Sequence, residues 1–488
     1  MVPPRDPDGP ADTVLPTGLR VALDRRTRRV DDGAVLLGGA PPRMLTLAPA
    51  ARALLADGGT FAVTGPTARA LARRLLDIGI AHPVEVPPGV APAPCDVTVV
   101  VPVKDRVDGL ARLLAALPDE LGGVVVVDDG SADEAAIRAA AGRARVVRHP
   151  VSRGASASRN RGLVCATTPL VVFLDSDVVP EPGWLTPLLA AFADPAVGLA
   201  APRITALPPV QGWLGRYEAV HSSLDLGPDP ALIVPRSRVA YVPSAAMLVR
   251  RDAVGAGFDE EMHVAEDVDL VLRMHAAGWR LRYVPSARVA HDHRTRVGAW
   301  WLRKRDYGTG AAPLALRHRG AVPPMVLSPT SAAVAALLLL ARPWSAVAAL
   351  GVGAVAVERL APRLNVRHPR ATAVRLVGLG AVGALAQTAD AVTRHYWPLT
   401  LAACVVSRRA RRTVLAVAAA EGVADFWRHR DRDPRVRPRL LPHVLAHRLD
   451  DLAYGAGLWS GSWTHRTSAP LLPIGTGRGP SDRVSPNG

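Results

Sequence analysis

With 488 residues, the chain is too long for one ordinary domain, so we expect two or three units. The net charge of +16 rests almost entirely on arginine, and no basic helix with interleaved aromatic residues supports nucleic-acid binding; anionic lipid headgroups or a sugar nucleotide suit the same charge. Three widely spaced cysteines without a CxxC pair argue against a disulfide scaffold or a zinc site and favour a reducing compartment, and residues 1–30 carry no apolar segment typical of a secretory signal.

Short strands precede short helices in residues 1–90. The apolar patterns and one proline predict three strands and two helices, at 19–23, 34–37, 44–47, 49–55 and 67–78. Strands followed by small helices suggest a winged-helix-like module, and the prolines between Pro83 and Pro94 suggest a linker after it.

The stretch VLLGGAPPRMLTLAPAARALLADG, together with the later ARRLLDIGI, resembles the small peptide-recognition domains of pathways that modify ribosomally made peptides. Such domains capture a precursor peptide by adding it as a strand to a sheet edge. The resemblance implies a precursor peptide as a partner of residues 1–90. A purely structural role is the alternative, because short apolar strands and Ala/Leu helices occur widely.

Apolar runs that end in carboxylates recur from residue 96 to residue 177. The runs 96–103, 124–127 and 170–174 are followed by Asp105, by Asp128 and Asp129, and by Asp175 and Asp177. Such runs are typical of strands buried on both faces, and the helices predicted between them indicate an α/β unit with a mostly parallel sheet. Ligands of these sheets bind at the carboxyl ends of the strands, so we expect the acids to surround one crevice.

The pair Asp175 and Asp177 is the main candidate for a metal site. Two carboxylates with one residue between them, at the carboxyl end of a strand, suit Mg²⁺ or Mn²⁺ bridging a diphosphate. A lone DxD is more often an exposed acidic turn, but the neighbouring acidic strand ends favour the metal. His291, after a further strand predicted at 281–289, is a candidate to complete the metal shell; a plain surface histidine is the alternative.

Several arginines offer contacts to a nucleotide. Arg153 and Arg159 lie in RGASASRNRG and can reach base or diphosphate oxygens in bidentate geometry, unless they form a solvated helix face. Arg303, in WLRKRDYGTG, can neutralise the charge of a departing diphosphate together with Lys304 and Arg305. A basic stretch that faces a membrane is the alternative for that segment.

Five motifs stand in the order and spacing found in family-2 glycosyltransferases. They are VPVKDR, VVDDGSAD, RGASASRNRG, FLDSD and EDVDL, and the chain resembles that family over about residues 96–320. The resemblance implies a GT-A nucleotide-diphospho-sugar transferase fold. It also implies that Asp105 and either Asp128 or Asp129 contact the nucleoside of a UDP-sugar, while Asp177 binds the metal with Asp175 nearby. The sequence DSD, in place of DDD or DAD, leaves open which carboxylate touches the metal.

Glu266 and Asp267 begin a predicted helix in EDVDL. In the family this acidic helix start carries the catalytic base, which the resemblance places on Asp267, with Glu266 as the alternative. Inverting displacement at the anomeric carbon requires a carboxylate that takes the proton of the acceptor hydroxyl, opposite the departing diphosphate. A helix N-terminus favours the ionised carboxylate. Taken alone, such acids are more often helix caps.

The chain becomes apolar and helical in residues 323–465. The apolar stretches 326–341 and 346–357 are each shorter than the roughly 20 residues that span a bilayer, so a bent or re-entrant hairpin is expected. Arginines clustered in 408–412 suit the lipid surface on the cytoplasmic side. We therefore expect association with the cytoplasmic face of the membrane in preference to a soluble helical domain, followed by a disordered tail at 466–488.

Taken together, these segments predict a winged-helix-like module in 1–90, a catalytic domain in 95–320 and an apolar region that follows it in the chain. This combination resembles glycosyltransferases that modify a peptide-derived redox cofactor. The resemblance implies inverting, metal-dependent transfer of glucose from UDP-glucose to a peptide-derived acceptor, extending a β-linked oligosaccharide. The alternatives are a membrane-associated enzyme of the same family acting on a lipid-linked or cell-wall glycan, an inactive peptide-binding scaffold, and a nucleotidyltransferase that releases pyrophosphate.

Overall fold

The structure is a computed structural model that describes residues 14–476 of the chain. By their contacts, these residues form two compact units. The first contains the chain up to Val210 and again His221–His293, and the second contains Gln211–Val220 and the chain from Arg294 onward. Residues 477–488 of the predicted tail lie outside the described part of the chain.

The first unit begins with a small N-terminal module, residues 14–86. Its elements are β1 (Arg20–Leu23), β2 (Arg28–Val30), β3 (Val35–Gly38), β4 (Arg43–Thr46), α1 (Pro49–Leu54), β5 (Thr60–Ala62), α2 (Pro66–Asp77) and β6 (Ala81–Glu85). The three strands and two helices predicted here are present, within one residue at each end. Strand β6 contains Pro83, which the sequence assigns to a linker; as an edge strand of the sheet β5-β1-β6, it tolerates a residue without an N–H group.

The remainder of the first unit is built on a large mixed sheet. Its elements, together with helix α7, which follows β12 but lies mainly in the second unit, are β7 (Val97–Val103), α3 (Val107–Ala115), β8 (Gly123–Asp128), α4 (Glu134–Ala141), β9 (Arg145–Arg148), α5 (Ala155–Cys165), β10 (Leu170–Leu174), β11 (Val178–Pro180), α6 (Leu185–Ala191), β12 (Val197–Ala206), α7 (Gly212–His221), β13 (Ala231–Leu232), β14 (Ala246–Arg250), α8 (Glu266–Ala276) and β15 (Arg280–His291). The order is β11-β15-β12-β14-β10-β7-β8-β9, and β13 also pairs with β15.

The sheet contains the predicted parallel strands, but it is mixed and not mostly parallel, because as many strand pairs are antiparallel as parallel. Strands β10, β7, β8 and β9 run parallel because each is joined to the next through a helix, while β14 is antiparallel to both β10 and β12. Apolar clusters cover both faces, which explains the continuous apolar runs of β7 and β10. Strands β10, β7 and β8 are neighbours, so the three acidic strand ends predicted from the sequence meet at one edge.

The second unit is mainly helical. Its elements after α7 are α9 (Val297–Thr309), α10 (Ala311–Arg317), β16 (Val326–Leu327), α11 (Pro329–Leu339), α12 (Pro343–Leu360), α13 (Pro369–Asp390), α14 (Trp397–Val406), α15 (Arg408–His429), α16 (Leu440–Thr464) and β17 (Ile474–Gly475). Helices α9 and α16 approach closely: a Cβ on Gly457 would lie 1.8 Å from the carbonyl oxygen of Arg305. Strand β17, within the segment predicted as a disordered tail, pairs with β16.

Two helical segments in the described part are long and apolar enough to cross a membrane. They are Pro343–Arg363, of 21 residues with a mean hydropathy of 1.4, and Pro369–His395, of 27 residues with a mean hydropathy of 1.3. Only 17% of the 18-residue apolar window in each segment is buried. The sequence prediction that stretch 346–357 is too short to span a bilayer is therefore wrong by helix length, because its helix continues through less apolar flanking residues. The prediction holds for stretch 326–341, whose helix α11 has only 11 residues.

Candidate active site

The two carboxylates at the carboxyl end of β8, Asp128 and Asp129, form hydrogen bonds and ion pairs within the protein. Asp128 is fully buried, accepts a hydrogen bond from the N–H of Ser131 at 2.9 Å and forms an ion pair with Arg148. Asp129 accepts four hydrogen bonds, from His149 Nδ1, Ser152 Oγ and the N–H groups of Arg153 and Gly154, at 2.7 to 2.9 Å. The sequence predicts a nucleoside contact for one of these two acids, and the structure shows that Asp129 also fixes the loop that leads into α5.

Burial raises the pKa of Asp129, but its four hydrogen bonds outweigh burial and lower the pKa to about 2 from 3.8. A carboxyl group with a lowered folded pKa stabilises the fold above its unfolded pKa, and this stabilisation is lost as the pH falls through the folded pKa. We expect Asp129→Asn to lower the free energy of unfolding by about 2 kcal/mol at pH 7, and this difference to shrink between about pH 4 and pH 2.

Urea unfolding at a series of pH values measures this difference. Asp119→Asn is the matched control because Asp119 is exposed, and it should change the free energy of unfolding little at any pH. A deficit of Asp129→Asn that is equal at pH 7 and near pH 2 contradicts the assignment of the low pKa to Asp129.

Asp105 is the exposed carboxylate of this edge. Its backbone lies in the left-handed region with φ of +56°, unusual for a residue other than glycine. The turn is held by two hydrogen bonds: the N–H of Ala132 donates to Asp105 Oδ1 at 2.7 Å, and the N–H of Asp105 donates to Ser131 Oγ at 2.9 Å. Among the predicted nucleoside contacts Asp105, Asp128 and Asp129, it is therefore the carboxylate most open to solvent.

Asp177 and His291 come together through strand pairing. Strand β11 pairs with β15 so that Val178 lies opposite His291, and Asp177 Oδ1 is 3.5 Å from His291 Nε2. Arg106 Nη1 lies 3.4 Å from Asp177 Oδ2. Carboxylate oxygen and imidazole nitrogen are both ligands that Mn²⁺ accepts, so the donor atoms of this pair fit a divalent cation. The sequence predicts these residues separately, and the structure shows that they are neighbours.

Arg159 connects the DSD motif with the acidic start of α8. Its side chain is only 3% exposed; Nη2 donates to Asp175 Oδ1 at 2.6 Å and Nη1 donates to Glu266 Oε1 at 2.9 Å. Its guanidinium also lies over the ring of Phe258, 5.3 Å from the ring centre. Burial lowers the pKa of Arg159, but Asp175, Glu266 and Asp267 outweigh it and raise the pKa. The predicted diphosphate contact is thus a buried guanidinium bound to two carboxylates.

Asp267 is held by backbone groups. Its carboxylate accepts hydrogen bonds from the N–H of Ser244 at 3.0 Å and from the N–H of Val268 at 2.8 Å. Ala265, which precedes the helix, has a left-handed φ of +68°, a costly conformation for a residue with a Cβ. This conformation places both Glu266 and Asp267 in the first turn of α8.

The two acids at the start of α8 influence each other. Burial and the charge of Asp267 raise the pKa of Glu266 to about 7, against the opposing effect of Arg159. Burial also raises the pKa of Asp267, although the N–H of Ser244 and Arg159 lower it. Groups whose pKa values are shifted towards neutrality are typical of acid–base sites. The raised pKa values therefore make Glu266 and Asp267 the candidates for exchanging a proton in this site.

The other basic residues predicted to contact the nucleotide, Arg153, Arg303 and Lys304, do not form one cluster. Arg153 is exposed and forms an ion pair with Glu260 at 2.8 Å. Arg303 belongs to the second unit, where it is exposed on α9 and its guanidinium lies 4.8 Å from the centre of the Tyr307 ring. The prediction that Lys304 neutralises a diphosphate is wrong, since Lys304 is buried and its Nζ lies 2.9 Å from Glu218 and 3.0 Å from Asp450.

Sequence reasoning missed the residues that support the acidic strand ends. Arg148 and His149, which pair with Asp128 and Asp129, stand at the carboxyl end of β9. The rule that ligands and polar groups gather at the carboxyl ends of parallel strands could have found them, had β9 been recognised. Arg106 lies just before α3 and is part of the motif VPVKDR, but its proximity to Asp177 required the fold.

Comparison with known proteins identifies relatives of this chain. The sequence profile of the family described as Glycosyl transferase family 2 matches residues 98–255. The pre-mycofactocin glycosyltransferase of Mycobacterium tuberculosis (strain ATCC 25618 / H37Rv) is 45% identical over 469 residues, which cover 94% of this chain and 98% of that protein. The succinoglycan biosynthesis protein ExoU of Rhizobium meliloti (strain 1021) is 31% identical over 223 residues, 41% of this chain and 63% of ExoU.

Among solved structures, the mannosyltransferase PcManGT from Pyrobaculum calidifontis in complex with GDP-Man and Mn²⁺ is 22% identical, with a TM-score of 0.36, and the match covers 70% of this chain and 91% of that chain. The matches to the curated relatives are the stronger ones, and the first of them extends over nearly the full length of both proteins. The five motifs quoted from the sequence lie at the ends of strands of this sheet and at the starts of the helices next to it. The chain therefore belongs to the pre-mycofactocin glycosyltransferase family, within the family-2 glycosyltransferases of GT-A fold.

Proposed function

We propose that this glycosyltransferase is inverting and metal-dependent, and that it transfers glucose from UDP-glucose to a peptide-derived redox cofactor, the precursor of mycofactocin, extending a β-linked oligosaccharide. One observation carries the mechanism: Arg159 binds both Asp175 of the DSD motif and Glu266, the residue next to Asp267. The candidate metal ligands and the candidate base are thereby joined in one site. The donor sugar and the acceptor rest on the resemblance to the relative that is 45% identical.

Asp177, Asp175 and His291 are the residues that would hold Mn²⁺ or Mg²⁺. A divalent cation bound there would supply positive charge for the diphosphate of the donor and of the leaving group. Asp177 and His291 offer converging oxygen and nitrogen atoms, 3.5 Å apart. Asp175 shares its carboxylate with Arg159, so Asp177 is the carboxylate that we assign to direct metal contact.

Asp267 takes the proton of the acceptor hydroxyl in this proposal. Both of its oxygens accept backbone hydrogen bonds, which fix the orientation of the carboxylate, and the N-terminal end of α8 favours its ionised form. Glu266, whose carboxylate is bound to Arg159, keeps the helix start in place beside the metal site. Orientation of this kind contributes to rate because the acceptor oxygen and the anomeric carbon must be aligned for displacement.

The N-terminal module supplies a place for a peptide acceptor. Its sheet β2-β3-β4 has β2 and β4 as outer strands, and an extended peptide can pair with an outer strand through main-chain hydrogen bonds. Residues 28–30 and 43–46, which form these strands, are mostly exposed. We propose that this sheet binds the precursor peptide or the peptide-derived part of the acceptor.

The test of the proposed function is the release of UDP from UDP-glucose by the purified full-length protein. We expect release that requires Mn²⁺ or Mg²⁺, that rises when the peptide-derived acceptor is added, and that is absent in Asp177→Asn. His291→Gln should raise the Mn²⁺ concentration needed for half-maximal release by about 10- to 100-fold. Full activity in the presence of a metal chelator would overturn the metal assignment, and absence of UDP release with every acceptor would overturn the function.

A lipid-linked acceptor is the second candidate, and it rests on the apolar helices of the second unit. Large apolar side chains on these helices are exposed, and they are followed by exposed arginines at the start of α15. Apolar helices flanked by arginines suit the cytoplasmic face of a membrane, which we propose as the location. Extraction of membranes with alkaline carbonate tests the location, and a protein released entirely into the soluble fraction would argue against spanning helices. Transfer to a polyprenyl-linked glycan, with none to the peptide-derived acceptor, would favour the second candidate.

A further inference from the structure

Charged side chains fill the contact between the N-terminal module and the large sheet of the first unit. Arg73 of α2 forms a bidentate pair with Asp194, with distances of 2.8 and 2.9 Å, and Asp194 also accepts the N–H of Ala196. Asp77, one turn further along α2, pairs with Arg280 of β15 and lies 3.7 Å from Arg73. Both carboxylates of this cluster are therefore engaged by Arg73 and Arg280.

A third guanidinium, that of Arg282, lies in the same cluster. Arg282 is two residues after Arg280 on β15, so both side chains point to the same face of the sheet. It lies opposite Ala200 of β12 and Leu232 of β13, with a strand on each side, and is only 2% exposed. None of its three guanidinium nitrogens has a hydrogen-bond partner within residues 14–476.

The carboxylates closest to Arg282 are bound by other arginines. The groups that act most strongly on it are Asp194, Arg280, Asp77 and Arg73. Asp194 is bound by Arg73 and Asp77 by Arg280, and neither carboxylate is hydrogen-bonded to Arg282. His82, which is also nearby, is hydrogen-bonded to Asp24. An arginine side chain does not lose its proton in proteins, and an unpaired buried charge is costly.

We propose that Arg282 binds a single small monovalent anion, of the size of chloride, between the N-terminal module and the large sheet. The anion offsets the charge of the buried Arg282 and accepts the hydrogen bonds of its guanidinium nitrogens. The arginine side chain suits this role because its fork of N–H groups is weakly hydrated and rigid. The anion then acts as a structural ligand that stabilises the docked module, independently of the transfer reaction.

Bromide is the direct probe for this site. Crystals of the full-length protein grown or soaked in sodium bromide should show an anomalous peak within hydrogen-bond distance of the Arg282 guanidinium. A peak at that position supports the proposal. Absence of a peak there, with ordered water in its place, overturns the proposal.

Thermal unfolding provides an independent test in solution. At equal ionic strength, the wild-type midpoint should be about 2 to 4 °C higher in sodium chloride than in sodium gluconate, and the increase should level off as the site saturates. Arg282→Met should remove this difference. Arg112→Met, which changes an exposed arginine paired with Asp292, should retain it. Equal midpoints of the wild type in both salts overturn the proposal, and the bromide experiment decides if Arg282→Met does not fold.

Discussion

Replacing Asp267 by asparagine is expected to lower the rate of sugar transfer by about 100- to 10,000-fold, the contribution typical of a general base. The asparagine side chain has nearly the same shape and retains an oxygen that can accept one of the N–H groups of Ser244 and Val268. It cannot take the proton of the acceptor hydroxyl. UDP-glucose binding should therefore persist while turnover is lost, as measured by calorimetry and by UDP release with saturating acceptor.

Glu266→Gln distinguishes the two acids at the start of α8. If Asp267 is the base, Glu266→Gln should retain most of the transfer rate, because its amide oxygen can still accept from Arg159 Nη1. Loss of transfer in Glu266→Gln with an active Asp267→Asn would assign the base to Glu266 instead. Loss of both donor binding and transfer in Asp267→Asn would indicate damage to the site and not loss of a base.

Replacing Arg159 by methionine is expected to cost about 3 kcal/mol in the free energy of unfolding and most of the transfer activity. Removal of one partner from a buried ion pair leaves the remaining charges uncompensated, and the lower end of the usual range applies because Asp175 is partly exposed. Glu266 is nearly buried and has no comparable replacement for the guanidinium. Urea unfolding at pH 7.5 and steady-state kinetics measure the two losses.

Two further variants separate this positioning role from direct binding of the donor. Arg153→Met removes an exposed ion pair with Glu260 and should change stability by no more than about 0.5 kcal/mol. Arg159→Lys restores one charge but cannot reach both carboxylates in fork geometry, so it should recover only part of the stability. An Arg159→Met protein that is as stable as the wild type, with only a weakened KM for UDP-glucose, would support the diphosphate contact predicted from the sequence.

The acidic strand ends were predictable because they depend on local pattern and on one general property of parallel sheets. Strands β7, β8 and β10 are continuous apolar runs, and each has an aspartate at its last residue or within two residues after it. Parallel neighbours place their carboxyl ends at the same edge, so the gathering of these acids follows without knowledge of the remaining chain. The motif EDVDL indicates the acidic start of α8. The distance between this helix start and the strand ends cannot be derived from the motif.

Other features could not be predicted from local pattern. The basic segment WLRKRDYGTG suggests a row of exposed charges, yet α9 is packed against α16 and Lys304 is enclosed with Glu218 and Asp450. The helix that contains the apolar stretch 346–357 is longer than the stretch, because backbone hydrogen bonding continues into flanking residues. Strands β2, β5 and β6 are too short or too rich in proline to carry a clear alternating pattern.

The sequence by itself determined the α/β class, the order of the acidic motifs and the residues that carry the proposed chemistry, since these follow from apolar periodicity and from residue type at strand ends. Only the tertiary structure decided which charges meet. Arg159 pairs with Glu266 across 107 positions of the chain, and Arg73 of the N-terminal module pairs with Asp194. Ion pairs and pKa values depend on distances and burial between remote segments, and those distances exist only once the strands and helices have packed.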